Sequence, residues 1–543
     1  MTLKHVFRLQ SLMAVLTVSF MLSCCKTTGG NHHGQGPSAY SVIDGDSIIA
    51  SYVMEFNADD DEIYGQTFRN IVAGKFLCDN IPAFDCPDKE LEKTYYFRWW
   101  TFRKHIKTTP DGYIITEFLP DVPWAGKYNS INCPACHHYA EGRWLRNKEY
   151  LNDYARFWLG HDAEPRKYSF PIADATLRLY KVHGDFQLIK DTYKGLKEIY
   201  AAWESDHRDP NGLFWQMDGR DGMEVSISGA MSDDATGYRA TINSYMYADA
   251  MALSSMAEML GKSLEATVYK EKADEIKVLM DRYLWDEDAR FYKVIPRNGK
   301  MMMSPAREEH GYVPWIYDIP DESKSEAWLQ LVDEQGFKAP YGPTTAERRA
   351  DGFKVVYEGH ECQWNGPSWP FATAQTLTGL AAFIHRYGEG VMTKNDYYET
   401  LTTFSNSHRR VNDKGKKICW IDENLDPFTG EWISRKMLIA AGSQIKERGK
   451  DYNHSSFCDL VISGLLGLQP QVDGSLVIEP LIPEGKWDYF CLDGIVCAGR
   501  NVVVLYDKDG SRYGKGTGFR VFVDGKEAFK ADTYTTNPRG LRT

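Results

Sequence analysis

Two glutamates, Glu224 and Glu423, stand in short segments rich in glycine, aromatic residues and further acids. A segment between them, Trp364 to Trp369, contributes two indole rings. Hydrolysis of a glycosidic bond usually requires two carboxyl groups, because one protonates the leaving oxygen while the other activates water or attacks the anomeric carbon. Aromatic faces bind the apolar face of a sugar ring. The pattern therefore predicts a sugar-cleaving site in which Glu224 and Glu423 form the carboxyl pair.

The segment around Glu224 is typical of a loop, and loops often carry catalytic groups. A general acid needs a pKa raised toward the working pH, either by burial or by a neighbouring carboxylate. Asp218 and Asp221 are close enough in sequence to act on Glu224, and Asp221 is also an alternative acid. The other interpretation is an acidic loop that faces solvent or binds a cation.

These segments resemble those of the family-63 glycoside hydrolases and the related trehalases. In those enzymes a Gly-Met-Asp-Asn-Ser or Gly-Trp-Asp-Phe-Ser segment supplies the general acid, and Glu224 falls at that aspartate. Trp420 to Gly430 resembles the Glu-Asn/Tyr-Tyr-x-Pro-x-Thr-Gly loop whose glutamate is the general base, which implies that role for Glu423. The resemblance further implies an (α/α)6 barrel, a toroid of six helical hairpins, that cleaves an α-linked glycoside or oligosaccharide by inversion. We expect no cofactor and no metal ion.

Two positions depart from the family pattern: glutamate replaces aspartate at 224, and Asn365 replaces an arginine. Loss of a guanidinium removes a bidentate partner for a sugar hydroxyl or a carboxylate, so the substrate preference should differ from that of the relatives. The same departures leave open an alternative, a non-catalytic carbohydrate-binding lipoprotein on this scaffold. Glu423→Gln separates the two, because only an enzyme has turnover to lose.

Aromatic and polar residues near these segments are candidates for contacts with substrate. The run Tyr96 to Trp100 resembles the aromatic first inner helix of the same superfamily, and two histidines stand at a predicted helix start. The predicted substrate contacts are Trp99, Trp100, Trp124, His137, His138, Trp215, Asn243, Trp364, Asn365, Trp369 and Trp420.

One further motif suggests different chemistry. Cys133, Cys136 and His137 satisfy the C-x-x-C-H pattern of covalent c-type haem attachment, and a zinc site with His138 is a second alternative. The motif occurs once, and neither a second axial ligand nor a second paired cluster can be named from the sequence. A haem redox protein is therefore the third hypothesis.

The periodicity of apolar residues predicts the elements that position the site. From Leu91 onward, three-to-four spacing predicts many helices of moderate length, and Ser244 to Leu260 has the composition of an inner barrel helix. After Leu468 the pattern alternates and predicts a small antiparallel β module, joined by the early stretch Tyr40 to Phe56. The main predicted helices span Phe186–Trp203, Tyr238–Leu260, Leu264–Leu284 and Trp369–Tyr387.

The N-terminus predicts export. Lys4 and Arg8 precede the apolar stretch Leu12–Leu22, which is typical of a cleaved signal, and Cys24 resembles the acylated cysteine of bacterial lipoproteins. The mature protein is then periplasmic or at the cell surface, anchored to the membrane through Cys24 only; a secreted protein that has lost Cys24 is the alternative. The predicted organisation is residues 1–23 signal peptide, 24–38 flexible tether, 39–90 a partly β segment, 91–468 the barrel and 469–543 the β module.

The composition restricts the class of partner. A net charge of −12 argues against a nucleic-acid surface, which requires clustered Lys and Arg. Of 11 cysteines, two lie at the signal, and the odd number that remains is not a disulfide scaffold. We therefore expect a saccharide substrate that is neutral or only locally charged, and the oligomeric state stays open.

Overall fold

Antiparallel pairs of helices form the body of the protein. The computed structural model describes residues 40–535 and 541–542, so the predicted signal peptide, tether and lipidation site Cys24 lie outside the described residues. A 3₁₀ helix at Glu309–Tyr317 and a π-helical turn at Leu460–Leu465 complete the helical layer. The α-helices are α1 (Gly45–Ala58), α2 (Ala73–Asn80), α3 (Lys89–His105), α4 (Ala135–Gly142), α5 (Glu149–Phe157), α6 (Ile172–His183), α7 (Phe186–His207), α8 (Ala240–Met259), α9 (Ser263–Tyr283), α10 (Leu329–Val332), α11 (Pro370–Tyr387), α12 (Lys394–Ser407) and α13 (Ile433–Ala440).

Helix α8 shows how the barrel is layered. It packs against α6, α7, α9 and the 3₁₀ helix Glu309–Tyr317, so it is covered on nearly every side. An all-round apolar helix is stable only when neighbours cover it in this way. The structure confirms the predicted class, a mainly helical (α/α)6 barrel with a small antiparallel β module at the C-terminus.

Local sequence signals set the starts of several helices. Asp185 caps α7 by accepting hydrogen bonds from the backbone amides of Gln187 and Leu188. Thr393 opens α12 with a capping box to Asp396, which satisfies two backbone amides that would otherwise lack partners. Pro370 stands in the first turn of α11, where a missing amide costs nothing.

The strands form one five-stranded sheet and several small ones. The five-stranded antiparallel sheet has the order β1-β13-β14-β15-β16, so one N-terminal strand pairs with the C-terminal module. Of the smaller sheets, one joins β11, β12 and β17. The strands are β1 (Ala83–Asp85), β2 (Ile106–Thr109), β3 (Gly112–Ile115), β4 (Trp215–Met217), β5 (Thr236–Tyr238), β6 (Trp285–Asp286), β7 (Phe291–Tyr292), β8 (Ile295–Pro296), β9 (Arg409–Val411), β10 (Lys417–Cys419), β11 (Leu468–Pro470), β12 (Ser475–Ile478), β13 (Tyr489–Cys497), β14 (Arg500–Asp507), β15 (Gly518–Val523), β16 (Lys526–Ala531) and β17 (Leu541–Arg542).

The prediction that Tyr40 to Phe56 joins the β module as a strand was wrong. Asp44 caps helix α1 through the amide of Ser47, and the helix then runs from Gly45 to Ala58. The residues before it only rest on the sheet, where Asp493 accepts hydrogen bonds from two backbone amides of this stretch at 2.6 and 3.0 Å. The strand that the N-terminal region contributes is β1 instead. Within the described part of the chain, no helix is long and apolar enough to cross a membrane.

Candidate active site

A cavity of about 200 Å³ opens where loops that are distant in sequence meet. It contains both predicted catalytic glutamates and three of the predicted tryptophans, Trp124, Trp364 and Trp369. The wall consists of Glu117, Phe118, Trp124, Ile131, Cys133, Tyr168, Gly222, Glu224, His360, Glu361, Cys362, Trp364, Trp369, Phe371, Glu423, Arg448, Tyr452 and His454.

Backbone hydrogen bonds hold the three predicted segments together. The amide of Trp364 donates to the carbonyl of Val225 at 2.8 Å, which joins the Glu224 loop to the tryptophan segment. Ser368 and Leu425 exchange two further bonds of 2.9 and 3.0 Å, which join the tryptophan segment to the Glu423 loop. The separation of the two carboxyl groups is therefore fixed by backbone pairing and does not depend on side-chain packing alone.

Glu224 is open to the cavity and lies on a tight turn. Gly222 precedes it with φ of +84°, and a Cβ at that position would lie 2.9 Å from the sulfur of Cys133, so only glycine fits. Burial by the surrounding walls, reinforced by the negative charges of Glu423 and Asp218, raises the pKa of Glu224 to about 7. Its carboxyl group can thus hold a proton near neutral pH.

Glu423 is buried and held from one side by a guanidinium. Arg448 donates from Nε to one carboxylate oxygen at 2.9 Å and from Nη2 to the other at 3.3 Å. The same Nη2 donates to Glu361 at 2.7 Å, so Arg448 bridges two carboxylates in the cavity wall. His454 Nε2 contacts the backbone carbonyl of Glu423 at 3.0 Å and fixes the main chain. The side chain is therefore oriented before any ligand arrives.

The indole rings of Trp364 and Trp369 form a stacked platform in the cavity. Their centroids lie 4.4 Å apart at an interplanar angle of 14°, and Trp369 Nε1 donates to the carbonyl of Gln363 at 2.7 Å. Trp124 is 37 % exposed, and the guanidinium of Arg448 lies 5.3 Å from its ring centroid. An apolar platform beside two carboxyl groups suits a sugar ring whose hydroxyl edge faces the acids.

Glu117 is a third carboxyl group of the cavity that the sequence interpretation missed. The hydroxyl of Tyr452 donates to its Oε1 at 2.5 Å. Burial, with the charges of Glu423 and Glu224 adding to it, raises the pKa of Glu117 to about 8. Its only signal in the sequence is an acid two residues after the end of strand β3, and no motif marks it.

Asp221 does not share the cavity. It is buried beneath the loop, where Arg239 Nε donates to it at 3.0 Å and Thr241 also contacts it. Arg239 pairs with Asp218 as well, at 2.9 Å, so both acids anchor the loop to the start of α8. This corrects the interpretation of Asp221 as an alternative proton donor, because the Arg239 pair holds its carboxylate away from the cavity. Asp218 still acts on Glu224, through its charge.

Three of the predicted tryptophan contacts lie elsewhere. Trp99 is 1 % exposed and packs in the core of the barrel. Trp100 donates from Nε1 to Asn57, and the ammonium of Lys104 lies 3.7 Å above its ring. Trp420 is 3 % exposed beneath Arg410, whose guanidinium lies 4.0 Å from its ring centroid. These rings fill the interior and a separate small cavity, so the prediction that they contact substrate was wrong.

Trp215 and Asn243 are also outside the cavity wall, which corrects their prediction as contacts. Trp215 lies beneath the guanidinium of Arg297, 4.3 Å from its ring centroid, at the outer side of the loop. Asn243 is fully buried and clamps the backbone of Phe214, accepting from its amide at 2.9 Å and donating to its carbonyl at 2.8 Å. Both residues support the shape of the loop that carries Glu224.

The polar candidates His137, His138 and Asn365 do not line the cavity either. His137 packs behind Phe371 with ring centroids 4.7 Å apart, and burial lowers its pKa to about 3. His138 contacts the carbonyl of Asn453 at 2.7 Å, and burial likewise lowers its pKa to about 3. Asn365 donates to Gly352 at 3.5 Å. Buried neutral histidines of this kind order the loops behind the site.

The cysteines of the C-x-x-C-H motif point into different spaces. Cys133 lines the catalytic cavity, whereas Cys136 and His137 line a neighbouring cavity, and both thiols are free. Among residues 40–535 and 541–542, no group of three or more His, Cys, Asp or Glu side chains is arranged to hold a metal ion. In this structure the motif spans the start of helix α4.

The fold is an (α/α)6 barrel, and its loops gather carboxyl groups and stacked indoles in one pit. Fold and site together place the protein among the glycoside hydrolases. The family model described as "Mannosylglycerate hydrolase MGH1-like glycoside hydrolase domain" matches residues 127–455, and the chain belongs to this family. A second model, the C-terminal domain of glycosyl hydrolase family 65, matches residues 471–528, within the β module.

Solved structures resemble this fold, and a curated relative matches part of the sequence. A structure named "Sialidase" superposes with a TM-score of 0.84 and 41 % identity over 91 % of this chain and 44 % of that one. The GH63 mannosylglycerate hydrolase of Thermus thermophilus, in complex with glucose, superposes with a TM-score of 0.50 and 13 % identity over 68 % and 99 %. A protein of Borreliella burgdorferi is 24 % identical over 37 % of this chain and 41 % of its own length. The chain thus spans less than half of the sialidase and of the Borreliella protein.

Proposed function

We propose that the protein is a glycoside hydrolase that cleaves an α-linked glycoside with inversion, with Glu224 as general acid and Glu423 as general base. The observation that carries this proposal is that both carboxyl groups line one cavity yet have opposite surroundings. Glu224 holds a proton near neutral pH, whereas Glu423 accepts two hydrogen bonds from Arg448. Two carboxyl groups whose environments differ in this way divide into an acid and a base.

The proposed reaction uses each group once. Glu224 donates its proton to the glycosidic oxygen as the bond to the anomeric carbon breaks, so the aglycone leaves as an alcohol. Glu423 removes a proton from a water molecule, and the oxygen of that water attacks the anomeric carbon from the opposite face. The product sugar then has the inverted configuration, and proton exchange with solvent restores both carboxyl groups.

We further propose that the sugar bound in the cavity is neutral. The cavity wall carries four glutamates, and Arg448 is already paired with Glu423 and Glu361. A sialic acid or uronic acid would place its carboxylate among these groups without an uncommitted guanidinium to bind it, which is unfavourable. The family description names a mannosylglycerate hydrolase, and in that compound the mannosyl unit is neutral while the carboxylate belongs to the glycerate leaving group. The sialidase relative shares less than half its length with this chain.

A panel of substrates tests the proposal. Purified mature protein is incubated with α-mannosides, α-glucosides, α-rhamnosides and α-sialosides, and the first product is followed by anomer-resolved NMR. We expect turnover of at least one neutral α-glycoside, a β-anomer as the first product of an α-D-glycoside, and no release of sialic acid. Release of sialic acid, or a product that retains configuration, would contradict the assignment.

Export is a separate proposal. Because Cys24 follows a signal-like segment, we propose that it is acylated after cleavage and anchors the protein on the outer side of a membrane. Expression in a bacterial host with labelled palmitate tests it: the wild type should carry label in the membrane fraction, whereas Cys24→Ser should carry none. Equal labelling of both proteins would overturn the proposal.

A further inference from the structure

A second and larger cavity lies at the other end of helix α11. Its volume is about 420 Å³, and it is bounded by the last turns of α6 and α11 and by strand β11. The catalytic cavity includes Trp369, directly before α11, whereas this one includes Arg386 in its last turn. An 18-residue helix is about 27 Å long, so the two cavities are separate sites. We call the second one the cationic cavity.

Four basic side chains line the cationic cavity, and three of them have acidic partners. Arg143 donates to Asp459 at 2.7 Å, and Arg178 Nε donates to Asp174 at 2.6 Å. Arg386 donates to the backbone carbonyl of Asp318 at 2.8 Å, and the carboxylate of Asp318 lies 3.4 Å from the same nitrogen. These three pairs account for three of the four positive charges.

Lys181 is the fourth, and it has no such partner. In the described part of the chain, its ammonium forms no hydrogen bond and no ion pair within 4 Å. Burial, and then the positive charge of Arg178, lowers the pKa of Lys181. Asp174 and Asp318 oppose this shift through their charges without bonding the ammonium. A half-buried ammonium that has no bonded partner is available to bind an anion.

A second unmatched donor lines the same cavity. The side-chain amide nitrogen of Gln469, on strand β11, is buried and has no hydrogen-bond partner among residues 40–535 and 541–542. Buried donors are nearly always paired in native proteins, with protein groups or with ordered water, and an anion in the cavity would supply the same acceptor. Basic residues in the last turns of helices also balance the helix dipole, which applies to Lys181 and Arg386. That role explains neither the unpaired amide of Gln469 nor a cavity of ligand size.

We propose that the cationic cavity binds a small molecule through an oxyanion group, either a carboxylate or a phosphate, held by Lys181, Arg178 and Gln469. Arg178 donates to Asp174 from Nε and lies over the ring of Tyr317, and its other guanidinium nitrogens form no hydrogen bond with the residues that the structure describes. The cavity volume accommodates a ligand of about monosaccharide size beyond the charged group. The site is independent of glycoside hydrolysis and lies where the barrel meets the β module.

Calorimetric titration tests the site without any glycoside present. Inorganic phosphate and citrate are titrated separately into the mature protein at constant ionic strength, with sodium chloride as the balancing salt. We expect saturable binding of about one equivalent of at least one of them; the arm that binds more tightly tells whether phosphate or carboxylate is preferred. Lys181→Met, which keeps the length of the side chain, should weaken the affinity by about tenfold or more.

The matched control is Lys194→Met, an exposed lysine on α7, which should bind like the wild type. Lys181→Met removes a half-buried ammonium that has no bonded partner among the described residues, so its melting temperature without ligand should change little. If that variant fails to fold, Gln469→Leu is used in its place and should also weaken binding. No saturable heat up to roughly 10 mM of either anion, or equal affinities for the wild type and the folded variant, would overturn the proposal.

Discussion

Arg448 donates hydrogen bonds to both carboxylate oxygens of Glu423, with Nε at 2.9 Å from one and Nη2 at 3.3 Å from the other. The guanidinium approaches from the wall of the cavity and is itself fixed by Glu361 and by the ring of Trp124. Glu423 is therefore oriented by a planar, bidentate partner, and the loss of either member should affect catalysis in a distinct way.

Glu423→Gln should abolish turnover while preserving affinity for the sugar. The amide keeps the shape of the side chain but cannot accept a proton from water, so kcat should fall by about 10²–10⁴-fold. Glu431→Gln, an exposed acid in the same loop, is the control and should retain activity. Turnover is measured by release of reducing sugar and affinity by calorimetry. A wild type that binds sugar without turnover would instead favour the carbohydrate-binding alternative.

Arg448→Lys should lower kcat more than it raises KM. Lysine retains the positive charge but cannot bond both oxygens of Glu423 and Glu361 at once, so the base loses its orientation and we expect a fall of about tenfold or more. Arg435, which holds Glu447 by two hydrogen bonds of 3.1 and 2.6 Å outside the cavity, offers a control with the same geometry. Arg435→Lys should leave kcat unchanged. Equal losses in both variants would point to a general structural effect.

Helix periodicity predicted the helices, and the resemblance of short motifs to the family-63 enzymes predicted the barrel and the loops that carry Glu224 and Glu423, because both are local signals. It failed for Trp99 and Trp420, since an indole looks the same in sequence whether it packs in a core or faces a ligand. Glu117 was not predicted either. Its proximity to Glu224 arises only when distant loops close the cavity, and no local pattern records it.

Activity should decline on the alkaline side as Glu224 loses its proton. Its pKa is raised to about 7, so the acid is protonated below that pH and ionised above it. Because only the protonated form donates to the leaving oxygen, kcat/KM should fall by about tenfold per pH unit above the transition. A profile measured between about pH 5 and pH 9 checks this. A profile that stays flat to the alkaline end would remove Glu224 from the role of general acid.

Glu117→Gln should make stability less sensitive to pH. Because burial raises the pKa of Glu117 from 4.5 to about 8, the folded protein binds this proton more tightly than the unfolded chain does. The free energy of unfolding should then be highest at low pH and should fall as pH rises from about 4.5 to about 8. Glutamine imitates the protonated acid and cannot ionise, so the variant should lose less stability over this range, by on the order of 2–4 kcal/mol.

Urea unfolding of both proteins at about pH 5 and about pH 8 measures this difference. Glu224 and Asp422, whose pKa values are also raised by burial, titrate in both proteins, so their contributions cancel apart from the charge interaction between Glu224 and Glu117. Glu484→Gln, an exposed acid beside the β module, should show the pH dependence of the wild type. If Glu117→Gln follows the wild-type curve as well, Glu117 does not hold its proton in the folded cavity, and the sugar would meet a third negative charge there.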